Sequence, residues 1–447
     1  MAQAISSPTV LALDTVLSRA AGILRSGAIL NALIAAAILI AGALGALGVV
    51  PTLNAVVHDT LLINYAGADD AALVVVSLLA LLNMSLLLVV MVGALAREAW
   101  TIPALLLVTA FNLGALIGLG FTPAVITLII SAITVIVTVR DPAARRAFRF
   151  NPVMIKELRG RMRGVRAFVV LTVYLGLMGA LALLLYLVYS TAGRDPSSAA
   201  AGEIGRVLFN GVFAVELALI VFIAPAFTAG AITGERERQT YDLLRTTLLS
   251  DASFVIGKLE SALGYVLLLL LAGIPLQSLA FLFGGVSETE LILSFLILLV
   301  TAVALGTIGI YFSAGMERTL AASVRSYSTA MILMFVTPSL ISLLLGVLRN
   351  ALFIAGSTAS PPLEAALFYI NAALNAISPL STAVTTQNLL VTQQIAGFYT
   401  HTLISDGSTI PVASSWILFT IFYITLAAIL MTLTIRATRR VDARDSL

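Results

Sequence analysis

Ten long apolar runs confine this chain to a small set of folds. Each run holds roughly 20 mainly apolar residues, enough for an α-helix to cross about 30 Å of hydrocarbon. Unpaired backbone amides are costly in lipid, so the runs are expected to be helices. Only 11% of the residues are charged, against about 25% in soluble domains. The sequence therefore predicts an all-α polytopic membrane protein with about ten transmembrane helices, near residues 28–50, 71–95, 101–119, 121–139, 167–191, 207–231, 259–283, 291–313, 327–348 and 414–435.

The basic residues predict an orientation for these helices. If the N-terminus lies in the cytoplasm and successive runs alternate, 22 of the 25 basic residues fall in cytoplasmic segments, and only Arg194, Arg206 and Arg349 do not. Cytoplasmic loops of membrane proteins carry such an excess of Arg and Lys. Residues 1–26 lack a short apolar core followed by a cleavage site, so no cleavable signal peptide is expected. We expect a multi-pass protein of the cell (inner) membrane with both termini cytoplasmic.

A basic segment divides the chain into two parts. Residues 1–140 hold four runs, 141–166 form the basic segment, and 167–447 hold six runs. Ahead of the first run, the amphipathic pattern of residues 8–25 predicts an interfacial helix. Between the last two runs, 363–378 is apolar but too short to span a bilayer.

The basic segment contains a helix signal at its centre. Asn151 is a good helix cap, and Pro152 suits the first helical position. Apolar residues alternate with cations in the following turns, as in helices that lie in the membrane interface. Either this helix is a membrane anchor and nothing more, or it has a further role. The residues concerned are Val153, Ile155, Lys156, Leu158, Arg159, Arg161, Met162, Arg163 and Arg166.

A second charged segment follows the sixth run. Residues 234–242 alternate in charge, and Leu243 and Leu244 begin an apolar stretch. These leucines are suited to contact a partner, with the charges setting register. The alternative is a solvated loop closed by internal ion pairs, which contribute little when exposed.

This second segment resembles the permeases of the ABC type-2 exporter family. The family pattern is Gly-Glu-Arg-Glu-x-x-Thr-x-x-Leu-Leu. Many members have Gly before the Thr, where this chain has Gln239, and many have Pro after the Thr-Thr pair, where it has Leu248. The matching residues here are Gly234, Glu235, Arg236, Glu237, Thr240, Leu243 and Leu244.

The resemblance continues in the family's order over about residues 150–440, and it leaves the first 140 residues uncovered. Family-like stretches occur at Asn151-Pro152, at Lys156-Glu157-Leu158-Arg159, at 256–259, at 274–276, at 283–285 and at 375–380. By this resemblance, 167–447 is a six-span ABC type-2 permease core preceded by four extra spans. Residues 141–166 correspond to the family's interfacial elbow, 235–249 to its coupling helix and 350–413 to an extracellular region.

The resemblance implies a half-transporter with a separate ABC ATP-binding subunit. Its other expected partners are a second permease copy or paralogue and membrane lipids, and no nucleic acid is expected. No cofactor is expected to bind directly, because ATP and magnesium act through the partner. The implied elbow residues are Asn151, Pro152, Lys156, Glu157 and Arg159. The implied residues for coupling to the ATPase are Glu235, Arg236, Glu237, Arg238, Thr240, Leu243 and Leu244.

The chain itself lacks a nucleotide-binding motif. A phosphate loop needs Gly-x4-Gly-Lys-Ser/Thr, and neither of the two lysines, Lys156 and Lys258, has that context. The chain has no cysteine, which excludes disulfides and thiolate chemistry. We therefore expect a transport subunit that is not an enzyme and has no catalytic or metal-binding residues.

One carboxylate lies inside a predicted span. Glu216 is near the middle of the sixth run, where a charge costs about 2.5–3.5 kcal/mol on insertion scales. It is a possible intramembrane polar site for substrate or a proton, or a protonated group hydrogen-bonded between helices. This leaves two alternatives to the ABC permease, namely a secondary transporter that uses Glu216 and a non-transporting membrane scaffold.

Overall fold

The chain folds into long helices joined by short connections. The computed structural model describes residues 8–46, 53–64, 69–142, 148–190, 198–241, 249–353 and 360–445. In chain order the helices are α1 (Pro8–Ala46), α2 (Leu53–Leu61), α3 (Asp69–Ala96), α4 (Thr101–Leu119), α5 (Ala124–Arg140), α6 (Pro152–Met162), α7 (Val165–Ser190), α8 (Ser198–Thr228), α9 (Thr233–Glu237), α10 (Asp251–Leu282), α11 (Glu288–Gly315), α12 (Thr319–Met331), α13 (Thr337–Phe353), α14 (Pro361–Asn375), α15 (Pro379–Gln393) and α16 (Ser415–Asp445).

Within the described residues, nine helical segments are long and apolar enough to cross a membrane. They correspond to nine of the ten predicted runs, and they make the chain a polytopic α-helical membrane protein. The remaining run forms α5, which at 17 residues is shorter than the others. The nine segments are Thr15–Gly42, Ala71–Ala96, Thr101–Leu119, Ala167–Tyr189, Gly202–Glu237, Asp251–Leu282, Glu288–Gly315, Thr319–Val347 and Ser415–Thr438.

The N-terminal helix differs from the prediction. Residues 8–25 do not form a separate interfacial helix, because α1 continues unbroken through the first apolar run. Leu17 and Leu24 are buried, and α1 packs along α3. Gly27 lets α1 approach α5 closely, because a Cβ at this position would lie 2.6 Å from the Ile130 side chain of α5. The amphipathic pattern therefore marks a face that packs on neighbouring helices.

The connections gather at two ends of the bundle. We call one the basic end; it comprises 97–100, 148–163, 229–241, 249–260 and 314–319. A backbone bridge joins Glu98 and Arg149 there. The other is the hairpin end, comprising 61–64, 119–124, 283–290 and 398–413, where a bridge joins Leu62 and Phe121. Helix α5 returns the chain from Phe121 towards the basic end.

The region between α13 and α16 contains an element that the sequence analysis missed. Helices α14 and α15 are bent by 117°, in line with a stretch too short to span. Residues Phe398–Thr402 (β1) and Thr409–Ala413 (β2) then form an antiparallel hairpin. This is the exception, within the described residues, to the predicted all-α fold. Asp406-Gly407 between two short runs is a hairpin signal, and Gly407 has φ 75°.

Buried contacts join the N-terminal spans to the rest of the bundle. Helix α3 packs on α1, α10 and α16. Ser85 Oγ lies 2.6 Å from Thr425 Oγ1 in that contact. Between α12 and α13, a π-helical turn at Ile332–Val336 interrupts the regular α-helix. Pro338 lies two residues further on and has no backbone N–H to donate, so interrupting the α-helical hydrogen bonds here costs little.

The crossing by α5 is testable, because the absence of native cysteines gives no labelling background. We expect Gly118→Cys and Gly160→Cys to be labelled from opposite sides of the membrane, since α5 separates them. Both positions have open space for a side chain. As a control, Ile63→Cys should react from the same side as Gly118→Cys. Labelling of Gly118→Cys and Gly160→Cys from one side would contradict the crossing.

Candidate functional site

The charged segment after α8 forms a short helix and a tight turn. Helix α9 ends at Glu237, and Gln239 has φ 56°. A non-glycine residue in this left-handed region costs about 1–2 kcal/mol, so the turn is strained at Gln239. The N–H of Thr240 then donates to the Glu235 carbonyl at 3.0 Å. Leu243, Leu244 and the rest of residues 242–248, within the predicted coupling helix at 235–249, lie outside the described residues.

Lys258 is the cation at the centre of the basic end. It is only 4% exposed and lies in the third turn of α10. Its Nζ donates to Glu235 Oε1 at 2.7 Å and pairs with Glu157 Oε1 of α6. Ser261 Oγ donates to Glu157 Oε2 at 3.0 Å, and Thr240 Oγ1 donates to Glu235 Oε2. A buried ammonium needs such partners, so Lys258 ties α6, α9 and α10 together.

Arg236 caps the end of α11. Its Nη1 donates to the carbonyls of Ala314 and Met316, both at 3.0 Å. Its guanidinium also lies over the Tyr241 ring, 5.3 Å from the centroid. The last carbonyls of a helix lack helical partners and carry partial negative charge. Arg236 therefore fixes the segment to the C-terminus of α11.

Glu237 caps the start of the next helix. It accepts hydrogen bonds from the Thr319 N–H at 2.7 Å and from Thr319 Oγ1 at 2.9 Å. An acidic side chain satisfies the unpaired N–H groups there and interacts favourably with the helix dipole. Ser313 Oγ accepts from the N–H groups of Ile232 and Thr233. The charged segment is thus bonded to α10, α11 and α12, and it is linked to α6 through Lys258.

Asn151 confirms the predicted helix cap and makes a second connection. Its Oδ1 accepts from the N–H groups of Val153 and Met154 at 3.0 and 3.4 Å. Its Nδ2 donates to the Ser253 carbonyl at 2.6 Å and to Glu98 Oε1 at 2.6 Å. A Cβ on Gly257 would lie 2.6 Å from Asn151 Oδ1, so only glycine allows α10 this close to the cap.

The α3–α4 connection brings two more residues to the basic end. Glu98 is buried, and Trp100 Nε1 donates to Glu260 Oε1 at 2.7 Å. Burial and, to a smaller extent, the Glu260 carboxylate raise the pKa of Glu98, the hydrogen bond from the Asn151 amide lowers it, and the resulting pKa is about 7. Sequence reasoning did not include Glu98, Trp100 or Lys258 among the site residues. Lys258 alone had a signal, as one of two lysines in the chain.

Several predicted site residues lie on the surface of this end. Pro152, Lys156 and Arg159 are exposed on α6, and Arg238 is exposed after α9. Of the predicted elbow residues, Asn151 and Glu157 bond to neighbouring segments in the part of the chain that the structure describes. The structure therefore brings together Asn151, Glu157, Glu235, Arg236, Glu237 and Thr240.

Glu216 lies apart from this site, in the middle of α8. It is buried between α7, α8 and α10; Tyr174 Oη donates to its Oε1 at 3.4 Å, and Gln277 Nε2 donates to Oε2. Gly273 makes room for this carboxylate, because a Cβ at this position would lie 2.0 Å from Glu216 Oε1. Glu216 is 17 residues before Thr233, about 25 Å along a helix. Its two protein partners support hydrogen bonding between helices, one of the readings the sequence left open.

No protein-family model and no curated protein matches this chain. In the part of the chain that the structure describes, no group of three His, Cys, Asp or Glu residues is placed to hold a metal ion. The fold defines the class, a multi-pass α-helical membrane protein. Its polar residues concentrate in two places, the network at the basic end and the Glu216 cluster.

The two lysines allow a matched test of the network. Lys258→Met should lower the free energy of unfolding by about 3 kcal/mol, because breaking a buried ion pair leaves its partner charges uncompensated. Lys156→Met, on exposed α6 surface, should change it by less than about 0.5 kcal/mol. Denaturant unfolding in detergent measures both. Equal effects of the two substitutions would show that Lys258 is not a structural centre.

The raised pKa of Glu98 predicts a pH dependence. The folded state binds this proton more tightly than the unfolded chain, in which the pKa is near 4.5. The Glu98 contribution should therefore be fully present below pH 4.5 and be lost as the pH rises through about 7. Glu98→Gln should flatten the profile of melting temperature against pH in that window. Exposed Glu288→Gln is the control, and a Glu98→Gln profile like the wild type would refute the assignment.

Proposed function

We propose that the chain is the transmembrane permease subunit of an ATP-driven ABC exporter of the type-2 class. It moves an unidentified substrate across the membrane with energy from a separate ATP-binding subunit. A second permease copy or paralogue completes the transporter. ATP and magnesium act in the partner, and this chain contributes no catalytic residue. The basic end faces the cytoplasm, because 22 of the 25 basic residues belong to the segments predicted on that side.

The bonding of residues 234–241 is the observation that supports this proposal. Glu235, Arg236 and Glu237 form a continuous run of charge, yet their side chains reach three different helices of the bundle. A force applied to this segment by a partner is transmitted to α10, α11 and α12 through these bonds, and to α6 through Lys258. A solvated loop closed on itself lacks these connections. The arrangement suits an element that couples a cytoplasmic motor to membrane helices.

The experiment combines capture of the partner with a conformational readout. Purification of the tagged chain from native membranes should co-purify an ATP-binding-cassette subunit. In that complex, ATP should change the labelling rate of Thr409→Cys at the hairpin end. Replacing both Glu235 and Glu237 with alanine should abolish this response while ATP hydrolysis continues, because the links to α10 and α12 are lost. Glu288→Ala, at the exposed start of α11, is the control and should keep the response.

Two results would overturn the proposal. One is purification without any ATP-binding-cassette subunit, and the other is an unchanged ATP response in the double variant. The second candidate is the secondary transporter, which is suggested by the carboxylate of Glu216 buried in the middle of α8. If the chain is a secondary transporter, Glu216→Gln should abolish proton-driven uptake or release of the substrate by vesicles that contain this chain alone.

A further inference from the structure

A pocket of about 240 Å³ opens at the basic end between the end of α6 and the end of α8. Its polar lining consists of Arg161, Glu235, Arg238 and Lys258. Small residues, among them Ala226 and Gly230, form the opposite wall. The volume equals that of about eight water molecules. It is too small for a drug-sized molecule, whose pockets start at about 300 Å³, but large enough for a compact polar group.

The charges around this pocket do not balance. Arg161, Arg238 and Lys258 supply three positive charges. Glu235 in the wall supplies one negative charge, and Glu157, behind Lys258, supplies another. The surplus is one positive charge, which equals in magnitude the single negative charge of a phosphodiester.

Among the described residues, the two arginines have unused hydrogen-bonding capacity. Arg238 is exposed and interacts electrostatically with the Glu235 carboxylate, but its side chain forms no hydrogen bond to a described residue. Within the same part of the chain, Arg161 makes long contacts, 3.8 Å to Glu157 Oε2 and 3.4 Å to the Phe227 carbonyl, and lies over the Phe227 ring. A guanidinium carries five donors in a planar fork that fits phosphate oxygens. Lys258, by contrast, is already paired with two carboxylates.

The pocket lies beside an apolar surface suited to lipid chains. Helix α7 begins three residues after α6 ends, and its first turn exposes Val165 by 78% and Phe168 by 69%. Basic pockets between helices at the cytoplasmic side of membrane proteins bind anionic headgroups. A headgroup in the pocket would leave its acyl chains free to run along α7.

We propose that this pocket binds one phosphate group, that of an anionic phospholipid, through Arg161 and Arg238. The bound phosphate joins the end of α6 to the turn after α9, two segments otherwise linked here through Lys258. The apolar start of α7 favours a lipid over free phosphate as its source. This site does not depend on an ATP-binding partner, so its test is independent of the proposed function.

The test uses the purified full chain in an uncharged detergent. Short-chain phosphatidylglycerol, phosphatidylcholine and inorganic phosphate are titrated separately, and binding is followed by the rise in melting temperature. Phosphatidylglycerol should protect at lower concentrations than phosphatidylcholine. Replacing both Arg161 and Arg238 with Gln should weaken phosphatidylglycerol binding by about 30-fold, since each surface cation contributes about 1 kcal/mol.

Matched variants separate the pocket from general basic charge. Arg159→Gln with Arg163→Gln removes two exposed cations from the same helix and should change the affinity by less than about threefold. Arg238→Gln alone alters an exposed side chain, so folding is preserved, and it should weaken binding about fivefold. Ala226→Leu narrows the pocket without changing charge and should also weaken binding.

Three results would overturn the proposal. The first is equal weakening in the two double variants, which would indicate diffuse attraction to the basic end. The second is equal protection by phosphatidylcholine and phosphatidylglycerol. The third is protection by inorganic phosphate that matches the lipid, which would assign the pocket to free phosphate and refute the lipid as its source.

Discussion

The basic end of this protein depends on one buried charge. Lys258 lies inside an apolar helix bundle, and an ammonium there is tolerated only with nearby counter-charges. Glu157 and Glu235 provide them from two segments that are 78 residues apart in sequence. Loss of either carboxylate would leave the buried Lys258 with a single counter-charge. The interfacial helix and the charged segment are therefore held against α10 together, and the caps made by Arg236 and Glu237 extend the same connection to α11 and α12.

The N-terminal helices α1–α5 are part of this arrangement. They have no counterpart in the family resemblance, yet Glu98 binds the Asn151 amide and Trp100 binds Glu260. The Asn151 amide also donates to the Ser253 carbonyl, so both contacts connect to α10, on which Lys258 also lies. Helix α3 adds a buried contact to α16 through Ser85 and Thr425. The N-terminal helices therefore support α6 and α10 and have a structural role.

The membrane spans were predictable because they depend on local composition. An apolar run of about 20 residues needs no distant partner to specify a helix in lipid, and nine runs reappear as spanning helices within the described residues. The Asn151 cap was also local, since its Oδ1 bonds to the next few N–H groups. The continuous α1 and the β1–β2 hairpin were not predicted. In α1, burial against α3 and α5 replaced the interfacial position that the amphipathic pattern suggested, and the Asp406-Gly407 signal was missed.

The sequence by itself determined the class of protein, the number of apolar runs, the concentration of basic residues and the two charged segments. Hydrophobic length and charge are properties of short stretches, so they can be read without a fold. Only the tertiary structure decided what those charges do. Glu235, Arg236 and Glu237 bond to residues 23, 78 to 80 and 82 positions away, and Arg238 lines a pocket together with Arg161. Such partners are set by helix packing, which no local pattern specifies.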